Sequence, residues 1–293
     1  MRWGVRAGVL LLLGLTPMIG CDRLFSYPSA RVWYRPEEFG LAHEDVHIRT
    51  SDGETLHGWW LPAKGEALGT IVHFHGNAAN VTNHVALISW MPPAGFNVLM
   101  FDYRGYGRSS GSVSRAGTIL DGQAAMSYAL GRHDVDRARV GVFGQSLGGA
   151  VATVVASDVP EVRAVVLDGT FSSYRRIAAR HLESRLFVPF VCRAVAATLL
   201  SGEYEPVEHV RRIAPRPLLV IAAPEDDLCF PELGRELYEA AGEPRKFLLL
   251  SSGAHLDAVV DNVDGVQGII HAFFRNAFDA ASAPRESTSR LAP

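Results

Sequence analysis

A serine between glycines is the first feature of this sequence that could do chemistry. The pattern G-x-S-x-G occurs at Gly144, Ser146 and Gly148. It follows an apolar run over residues 140–143 that predicts a strand, and it precedes a helical repeat that starts near Leu147. A sharp strand-to-helix turn needs small residues, because neighbouring atoms crowd the strained backbone around the serine. Such a turn exposes the hydroxyl above the helix N-terminus, whose amides and dipole favour a developing anion. Ser146 is therefore the candidate nucleophile; the alternative is a solvated serine in a glycine-rich turn.

A serine nucleophile needs a histidine that accepts its proton and a carboxylate that fixes the tautomer of that histidine. His255 lies in a loop after an apolar run over residues 247–250, whereas His271 falls inside a helical repeat. An exposed, mobile imidazole belongs in such a loop, so His255 is the candidate base; the alternative is a solvent-exposed loop histidine. Three carboxylates follow the predicted strand over residues 218–222 and are candidates for the acid: Glu225, Asp226 and Asp227.

Serine attack on a carbonyl creates a negatively charged oxygen, which needs preorganised donors. The backbone N–H of Leu147, directly after the nucleophile, is one candidate. The backbone N–H of Asn77 is the second, because Gly76 permits the turn that aims this amide inward after an early strand. His73 and His75 could instead be metal ligands, but no third ligand follows at a typical spacing. We therefore expect an oxyanion hole here and no metal.

The first twenty residues differ from the rest of the chain. A short basic start precedes an apolar run over residues 7–15, roughly half of the ~20 residues that a spanning helix needs. With the small residue before Cys21, this pattern predicts a lipoprotein signal peptide over residues 1–20. It resembles the bacterial lipobox, with Met18 where leucine is usual, so Cys21 is the predicted lipidation site. The alternatives are ordinary secretory cleavage with an incidental cysteine, or an uncleaved anchor.

Lipidation at Cys21 would place the protein at a bacterial membrane, on the extracytoplasmic (periplasmic) side. Asp22 resembles the inner-membrane retention signal of enteric bacteria, which favours the inner membrane. Three cysteines are too few to indicate a disulfide framework. The sequence leaves open whether Cys192 and Cys229 pair in that compartment.

The composition is that of a globular chain. Of 293 residues, 48% are apolar and 20% are charged, and the net charge is −3. These proportions exclude a disordered chain, a coiled coil and a protein with several membrane spans. The mildly acidic balance gives no electrostatic footprint for nucleic acid.

Strand-like and helix-like segments alternate after an opening hairpin. Residues 46–49 and 55–61 flank a turn signal and predict this hairpin. Short apolar runs, typical of a buried parallel sheet, follow at residues 70–74, 97–101, 140–143, 164–167, 218–222 and 247–250. This order predicts an α/β fold with a mostly parallel central sheet and helices on both faces.

The predicted domain covers residues 37–280, after an irregular tether over residues 21–36 and before a flexible tail over residues 281–293. Within the domain, residues 169–217 separate two predicted strands by more chain than elsewhere. This apolar insertion is expected to be a short cap or membrane-facing patch over an acyl pocket, or else a core helix.

Serine, acid and histidine in this order resemble the α/β-hydrolase superfamily, over roughly residues 35–280. The motifs that carry the resemblance are residues 50–53, 58–62, 75–77, 102–107 and the nucleophile turn. They are most similar to the membrane-associated branch that includes depalmitoylating thioesterases and monoacylglycerol-lipase-like enzymes. The resemblance implies an α/β-hydrolase fold. It also implies a loop near the active site at residues 102–107, although a structural turn is the preferred interpretation of these residues.

The family's acid loop, aligned without a gap, places its carboxylate on Asp226. Counting back from Pro231 alone would choose Asp227 instead. The ungapped match satisfies both ends of the loop, so Asp226 is the preferred acid.

The sequence departs from the family in two loops. Ala79 stands where the oxyanion loop often has a second glycine, which would stiffen the loop without removing its amide donor. Cys229 and Phe230 replace the usual valine and proline of the acid loop. This departure affects the assignment of the acid more than that of any other site residue.

The resemblance implies a serine hydrolase that needs no cofactor. Ser146 would attack a carboxylic ester or thioester of a small molecule or lipid, and water activated by His255 would hydrolyse the acyl-enzyme. One alternative is a serine peptidase of the same fold, which usually carries an extra propeller or a larger cap. The other is a non-catalytic, lipid-anchored binding or scaffold protein.

Overall fold

The computed structural model describes residues 26–186 and 188–282. The predicted signal peptide, Cys21 and Asp22 lie outside the described residues, as does the predicted tail from residue 283 onward. The first two residues of that predicted tail belong to the last helix, which ends at Ser282.

Strands in the described ranges form two sheets. They are β1 (Tyr27–Pro28), β2 (Glu44–Arg49), β3 (Thr55–Leu61), β4 (Gly69–Phe74), β5 (Ala78–Ala79), β6 (Phe96–Phe101), β7 (Val140–Gln145), β8 (Ala164–Asp168), β9 (Leu218–Ala222) and β10 (Arg245–Leu249). The main sheet has the order β10-β9-β8-β7-β4-β6-β3-β2, and β1 pairs with β5 in a small second sheet. Every predicted strand overlaps an observed strand, with ends that differ by two residues or fewer.

The main sheet is mostly parallel. Each neighbouring pair from β6 through β4, β7, β8 and β9 to β10 is parallel. The opening hairpin of β2 and β3 is antiparallel, and β3 joins β6 in the antiparallel sense. Every residue of the five central strands is buried, as expected where helices cover both faces of a sheet. The predicted α/β architecture is therefore confirmed.

The helices are α1 (Val81–Ile88), α2 (Arg115–Gly131), α3 (Leu147–Asp158), α4 (Tyr174–Leu186), α5 (Pro189–Leu199), α6 (Pro206–His209), α7 (Pro231–Ala240), α8 (Asp257–Val260) and α9 (Val266–Ser282). Short 3₁₀ turns lie at Pro36–Phe39, Val210–Ile213 and Val263–Gly265. Within residues 26–186 and 188–282, no helix has the length and apolar character to span a bilayer.

Helices pack on both faces of the sheet and form two cores. Trp59 and Trp60 are neighbours on β3, and their side chains lie in different cores. The core of Trp59 is closed by α1 and α9; on α9, Ile270, Phe274 and Phe278 are four residues apart and form one apolar stripe. The core of Trp60 is closed by α2 and α3. The two layers hold the carboxyl ends of the parallel strands at one edge, where the loops that follow them meet.

The insertion between β8 and β9 contains α4, α5 and α6. We call α4 and α5 the cap. They pack on each other through a small cluster of Ala178, Ala179, Ala196 and Leu200, separate from both cores. Side chains near the start of α4 pack on Cys229 and Leu233, which joins the cap to the segment after β9.

The predicted tether lies against the domain from its first described residues. β1 is parallel to β5, with Tyr27 opposite Ala78 and Pro28 opposite Ala79. The backbone N–H of Tyr34 donates to the carbonyl of Thr82 at 3.1 Å. A two-residue strand is too short to show a period of two in the sequence, so the pattern did not predict this pairing.

Candidate active site

Ser146 occupies the sharp turn between β7 and α3. Its φ of 55° and ψ of −124° place a non-glycine residue in a strained backbone region. The neighbouring glycines make this turn possible: a Cβ on Gly148 would lie 2.1 Å from the carbonyl oxygen of Phe74, and one on Gly144 would lie 2.7 Å from Cβ of Ala152. The small residues that the G-x-S-x-G pattern requires are thus fixed by close packing.

His255 lies between Ser146 and Asp226. Its Nε2 is 2.9 Å from Oγ of Ser146, and its Nδ1 is 2.8 Å from Oδ2 of Asp226. A carboxylate only accepts hydrogen bonds, so Nδ1 carries the proton and Nε2 is left to accept the serine O–H. The structure therefore brings together the three residues singled out from the sequence, in the geometry of a nucleophile, a base and an orienting acid.

Asp226 is held by the loop after β9. Its Oδ1 accepts the backbone N–H groups of Leu228 and Cys229, at 3.0 and 2.7 Å. Asp226 is buried, whereas Glu225 and Asp227 are exposed. Of the three candidate carboxylates, only Asp226 contacts His255.

The loop over residues 76–79 lies beside the nucleophile. A Cβ on Gly76 would lie 3.4 Å from Cβ of Ser146, so the loop backbone packs directly on the serine. Asn77 and Leu147 line the same cavity as Ser146. Both residues predicted to donate backbone N–H groups therefore border the space in which a carbonyl would be attacked.

Two tyrosines hold the backbone of the loop beside Ser146. The hydroxyl of Tyr106 donates to the carbonyl of Asn77 at 2.8 Å, and the hydroxyl of Tyr103 donates to the carbonyl of His75 at 3.3 Å. Burial raises the pKa of Tyr106 to about 12, so its hydroxyl keeps the donating proton. Residues 102–107 thus form a structural turn whose two tyrosine hydroxyls hold the backbone of the loop beside Ser146.

The departure from the family at Ala79 has a structural consequence. Ala79 has φ of 67°, in the left-handed region that favours glycine. The pairing of β1 with β5 holds this conformation, and the backbone N–H of Ser29 donates to the carbonyl of Ala79 at 3.1 Å. The strand β1 therefore compensates for the missing glycine.

His73 and His75 are both buried, and each makes a hydrogen bond to a different partner. Nε2 of His73 lies 3.0 Å from Oε1 of Gln145, and Nδ1 of His75 lies 2.7 Å from the carbonyl of Gly76. Burial lowers the pKa of His73 to about 3 and lowers that of His75 strongly, so both rings are neutral. Across the part of the chain that the structure describes, no three His, Cys, Asp or Glu side chains are placed to hold a metal ion.

A second buried carboxylate lies near the triad and was missed from the sequence. The amide Nε2 of Gln145 donates to Oδ2 of Asp168 at 2.9 Å, directly beneath the nucleophile. Burial raises the pKa of Asp168 to about 6; Gln145 and His255 oppose this rise, and Asp226 adds to it. Its position at the carboxyl end of β8 was the available sequence signal.

Cys229 lies closer to the nucleophile than the sequence suggested. Its Sγ is 3.6 Å from Oγ of Ser146. Burial raises the pKa of the thiol strongly, so it stays protonated. Cys192 and Cys229 are both buried and free in the structure.

A cavity of about 590 Å³ opens beside Ser146 and His255. This volume is in the range of small-molecule binding sites. Most of its wall is apolar, from side chains of the loop after β8, the cap, the acid loop and the residue after His255: Phe171, Tyr174, Ile177, Leu182, Leu228 and Leu256. Tyr27 of β1 also lines the cavity, near the loop over residues 76–79.

Comparisons with known proteins bear on the family and fold of the chain. A family model described as the alpha/beta hydrolase fold matches residues 69–191. The uncharacterized protein YfhR of Escherichia coli strain K12 is 36% identical over 253 residues, which cover 84% of either protein. The alpha/beta hydrolase domain-containing protein WAV2 of Arabidopsis thaliana is 31% identical over 269 residues, covering 86% of this chain and 85% of WAV2.

Solved structures show the same fold. The Pyrococcus furiosus esterase Pf2001 superposes with a TM-score of 0.71 at 24% identity, covering 86% of this chain and 98% of that chain. The esterase domain of a Rhodothermus marinus protein has a TM-score of 0.59 at 23% identity. Together with the relatives above, these matches establish that the chain belongs to the α/β-hydrolase family.

Proposed function

We propose that the protein is a serine hydrolase that cleaves carboxylic ester or thioester bonds through an acyl-enzyme. The observation that carries this proposal is the chain of short contacts from Ser146 through His255 to Asp226 at the wall of an apolar cavity. An orienting acid, a base and a strained serine are the parts that nucleophilic catalysis requires.

These contacts support the following steps. His255 Nε2 accepts the proton of Ser146 as Oγ attacks the carbonyl carbon, and Asp226 stabilises the imidazolium that forms. The backbone N–H groups of Asn77 and Leu147 receive the oxyanion. His255 then returns the proton to the leaving alcohol or thiol. A water molecule activated by the same nitrogen hydrolyses the acyl-enzyme and regenerates Ser146.

The cavity wall favours an acyl group as the part of the substrate that is bound. Most of its surface is apolar, and the polar groups Asn77, His84 and His181 line it beside Ser146 and His255. The esterase titles of the Pyrococcus and Rhodothermus structures support ester chemistry. The motifs shared with depalmitoylating thioesterases and monoacylglycerol-lipase-like enzymes support a fatty acyl substrate, as an ester or a thioester.

A serine-directed fluorophosphonate probe tests the proposal. Wild-type protein should be labelled, and Ser146→Ala should not be labelled although it folds. The variant should lose on the order of 10³-fold or more of the esterase activity, because the triad acts as one unit. A non-catalytic scaffold would fail to label, and a folded Ser146→Ala variant with near-normal turnover would refute the assignment.

A substrate series identifies the scissile bond. We would compare p-nitrophenyl esters of increasing acyl length with an acyl thioester and a peptide anilide. Preference for medium or long acyl chains fits the apolar cavity. Cleavage of the anilide without cleavage of any ester would show a peptidase instead.

We also propose that Cys21 carries the lipid anchor of an extracytoplasmic protein, with Asp22 favouring the inner membrane. The support is the short apolar run and the lipobox-like residues before Cys21. Cys21→Ser should abolish incorporation of labelled palmitate and release the protein from the membrane fraction, because several acyl chains on one cysteine anchor firmly. Lipidation would be contradicted if the variant still pelleted with the membranes and wild type incorporated no palmitate.

A further inference from the structure

Exposed apolar side chains are concentrated where the two cap helices meet. Ten large apolar side chains are strongly exposed among the described residues, and five of them lie here or beside α4. We call these five the cap tip: Leu186, Val188, Phe190, Val191 and Leu228. Phe190 is the most exposed, at 86%. Such a concentration on a small protein marks an interaction surface.

The cap tip is continuous with the catalytic cavity. Leu182 lines the cavity and lies one helical turn before Leu186, so the two side chains share a face of α4. Leu228 lines the cavity and is also half exposed. Its carbonyl accepts a hydrogen bond from His181 Nε2 at 3.0 Å, which ties the acid loop to α4. An unbroken apolar surface therefore runs from the space beside Ser146 to the outside of the cap.

The N-terminal end of the described chain lies at the same cavity. Tyr27 lines the cavity and is 66% exposed. Only five residue steps separate Cys21 from Ser26. At no more than ~3.6 Å per residue, Cys21 lies within about 18 Å of Ser26. Acyl chains on Cys21 would therefore hold this side of the protein at the bilayer.

Two ion pairs lie beside the cap tip. Arg180 contacts Glu232 at 2.8 Å, and Arg193 contacts Glu183 at 3.2 Å. Asp227, next to Leu228, is also exposed, so the five apolar side chains of the cap tip stand among two ion pairs and one further carboxylate. The chemistry of the tip therefore suits the hydrocarbon boundary of a neutral phospholipid bilayer.

We propose that the cap tip inserts into the surface of a phospholipid bilayer, with the mouth of the cavity facing the lipid. Membrane-embedded long-chain acyl esters would then reach Ser146 without crossing water. The docking rests on the proposed anchor at Cys21, and the substrate class rests on the proposed hydrolase function. A single apolar tip and a lipidated N-terminus act together, because two membrane signals bind far more firmly than one.

Fluorescence quenching tests the docking independently of activity. A Phe190→Cys variant of the full chain is labelled with an environment-sensitive fluorophore and reconstituted in phosphatidylcholine vesicles that carry a nitroxide on the acyl chain. Arg137→Cys is the matched control, because Arg137 is exposed and precedes β7, at the opposite edge of the sheet from Ser146. The described native cysteines, Cys192 and Cys229, are buried, which favours labelling at the introduced site.

We expect the label at residue 190 to be quenched roughly twofold or more and the label at residue 137 to be unchanged, because interfacial segments insert their apolar side chains into the acyl boundary. Equal quenching at both sites would overturn the docking. A protein that does not float with the vesicles would also overturn it.

An activity comparison tests the consequence for substrate. The double variant Phe190→Ser/Val191→Ser changes two exposed side chains that do not line the cavity. It should lose roughly tenfold or more of the activity on a long-chain ester embedded in vesicles, since two apolar side chains no longer bind lipid. Its activity on a short, water-soluble ester should match wild type. Equal activity of wild type and variant on the vesicle substrate would overturn the proposed entry route. If wild type hydrolyses neither ester, the hydrolase function fails, while the quenching result still decides the docking.

Discussion

Nδ1 of His255 donates to Oδ2 of Asp226 across 2.8 Å, and the other oxygen of the same carboxylate is fixed by two backbone N–H groups. The acid is therefore held on both sides. Its neighbour Asp227 is exposed and makes no contact with the histidine. The two adjacent aspartates differ in their relation to His255, although their side chains are chemically identical.

This difference predicts unequal effects of the same substitution. Asp226→Asn should lower kcat by roughly 10²–10⁴, because an amide no longer fixes the imidazole tautomer or stabilises the imidazolium. Asp227→Asn should change kcat by less than about tenfold, as expected for a solvated side chain. Both variants are assayed on one p-nitrophenyl ester, with folding checked by circular dichroism. If Asp227→Asn loses activity and Asp226→Asn stays active, the acid is Asp227 and the assignment to Asp226 is wrong.

The hydroxyl of Tyr106 predicts an effect on catalysis from outside the cavity. Tyr106→Phe removes the hydrogen bond to the carbonyl of Asn77 and loosens the loop that carries the proposed oxyanion donor. One neutral hydrogen bond contributes about 1 kcal/mol, so kcat should fall roughly two- to tenfold with little change in KM. Tyr128→Phe is the control, because the hydroxyl of Tyr128 on α2 contacts Arg132, directly after this helix, rather than the active site. Equal kinetics of the two variants would show that the hydroxyl of Tyr106 does not position the loop.

The central sheet was predictable because parallel strands buried on both faces read as continuous apolar runs. The nucleophile was predictable for a similar reason, since the crowding around Ser146 leaves a local signature of glycines. The choice of Asp226 needed the family's loop pattern, because the residue types alone fit three carboxylates equally well.

Features that depend on distant packing had no such signature. The distance of 3.6 Å from Cys229 to Ser146 is set by the curve of the acid loop, and the pairing of β1 with β5 joins segments about fifty residues apart. Asp168 ends a strand and belongs to no motif, so its contact with Gln145 emerged only from the sheet register. The sequence indicated an apolar insertion at the cap, but not which side chains face the cavity.

Two glycine substitutions test how tightly the nucleophile turn is packed. A Cβ on Gly148 would lie 2.1 and 2.3 Å from the carbonyl oxygens of Phe74 and His75. Backbone must shift to relieve such contacts, so Gly148→Ala should destabilise the protein by about 2 kcal/mol or more and impair activity. On α9, a Cβ at the exposed Gly268 would meet nothing within 4 Å, so Gly268→Ala should stabilise by about 0.5–1 kcal/mol. Urea denaturation of both variants gives the comparison. A Gly148 variant as stable as wild type would contradict the packing of β4 against α3.

The buried carboxyl of Asp168 predicts a pH dependence of stability. Its pKa is about 6 in the folded protein and near 3.8 when unfolded, because burial disfavours the charged form. As the pH rises from 4 to 7, the unfolded chain releases this proton first, so the contribution of Asp168 to stability falls with rising pH. The full change in the free energy of unfolding across both pKa values is about 3 kcal/mol.

The variant Asp168→Asn tests this pH dependence. It removes the titration, and its amide oxygen still accepts the hydrogen bond from Gln145. The free energy of unfolding of the variant relative to wild type should therefore rise by roughly 2.4 kcal/mol between pH 4 and pH 7. Other titrating groups are common to both proteins and largely cancel in the difference. Urea titrations at several pH values measure it. A difference that is constant with pH, or that falls as the pH rises, would show that Asp168 keeps an ordinary pKa beneath the nucleophile.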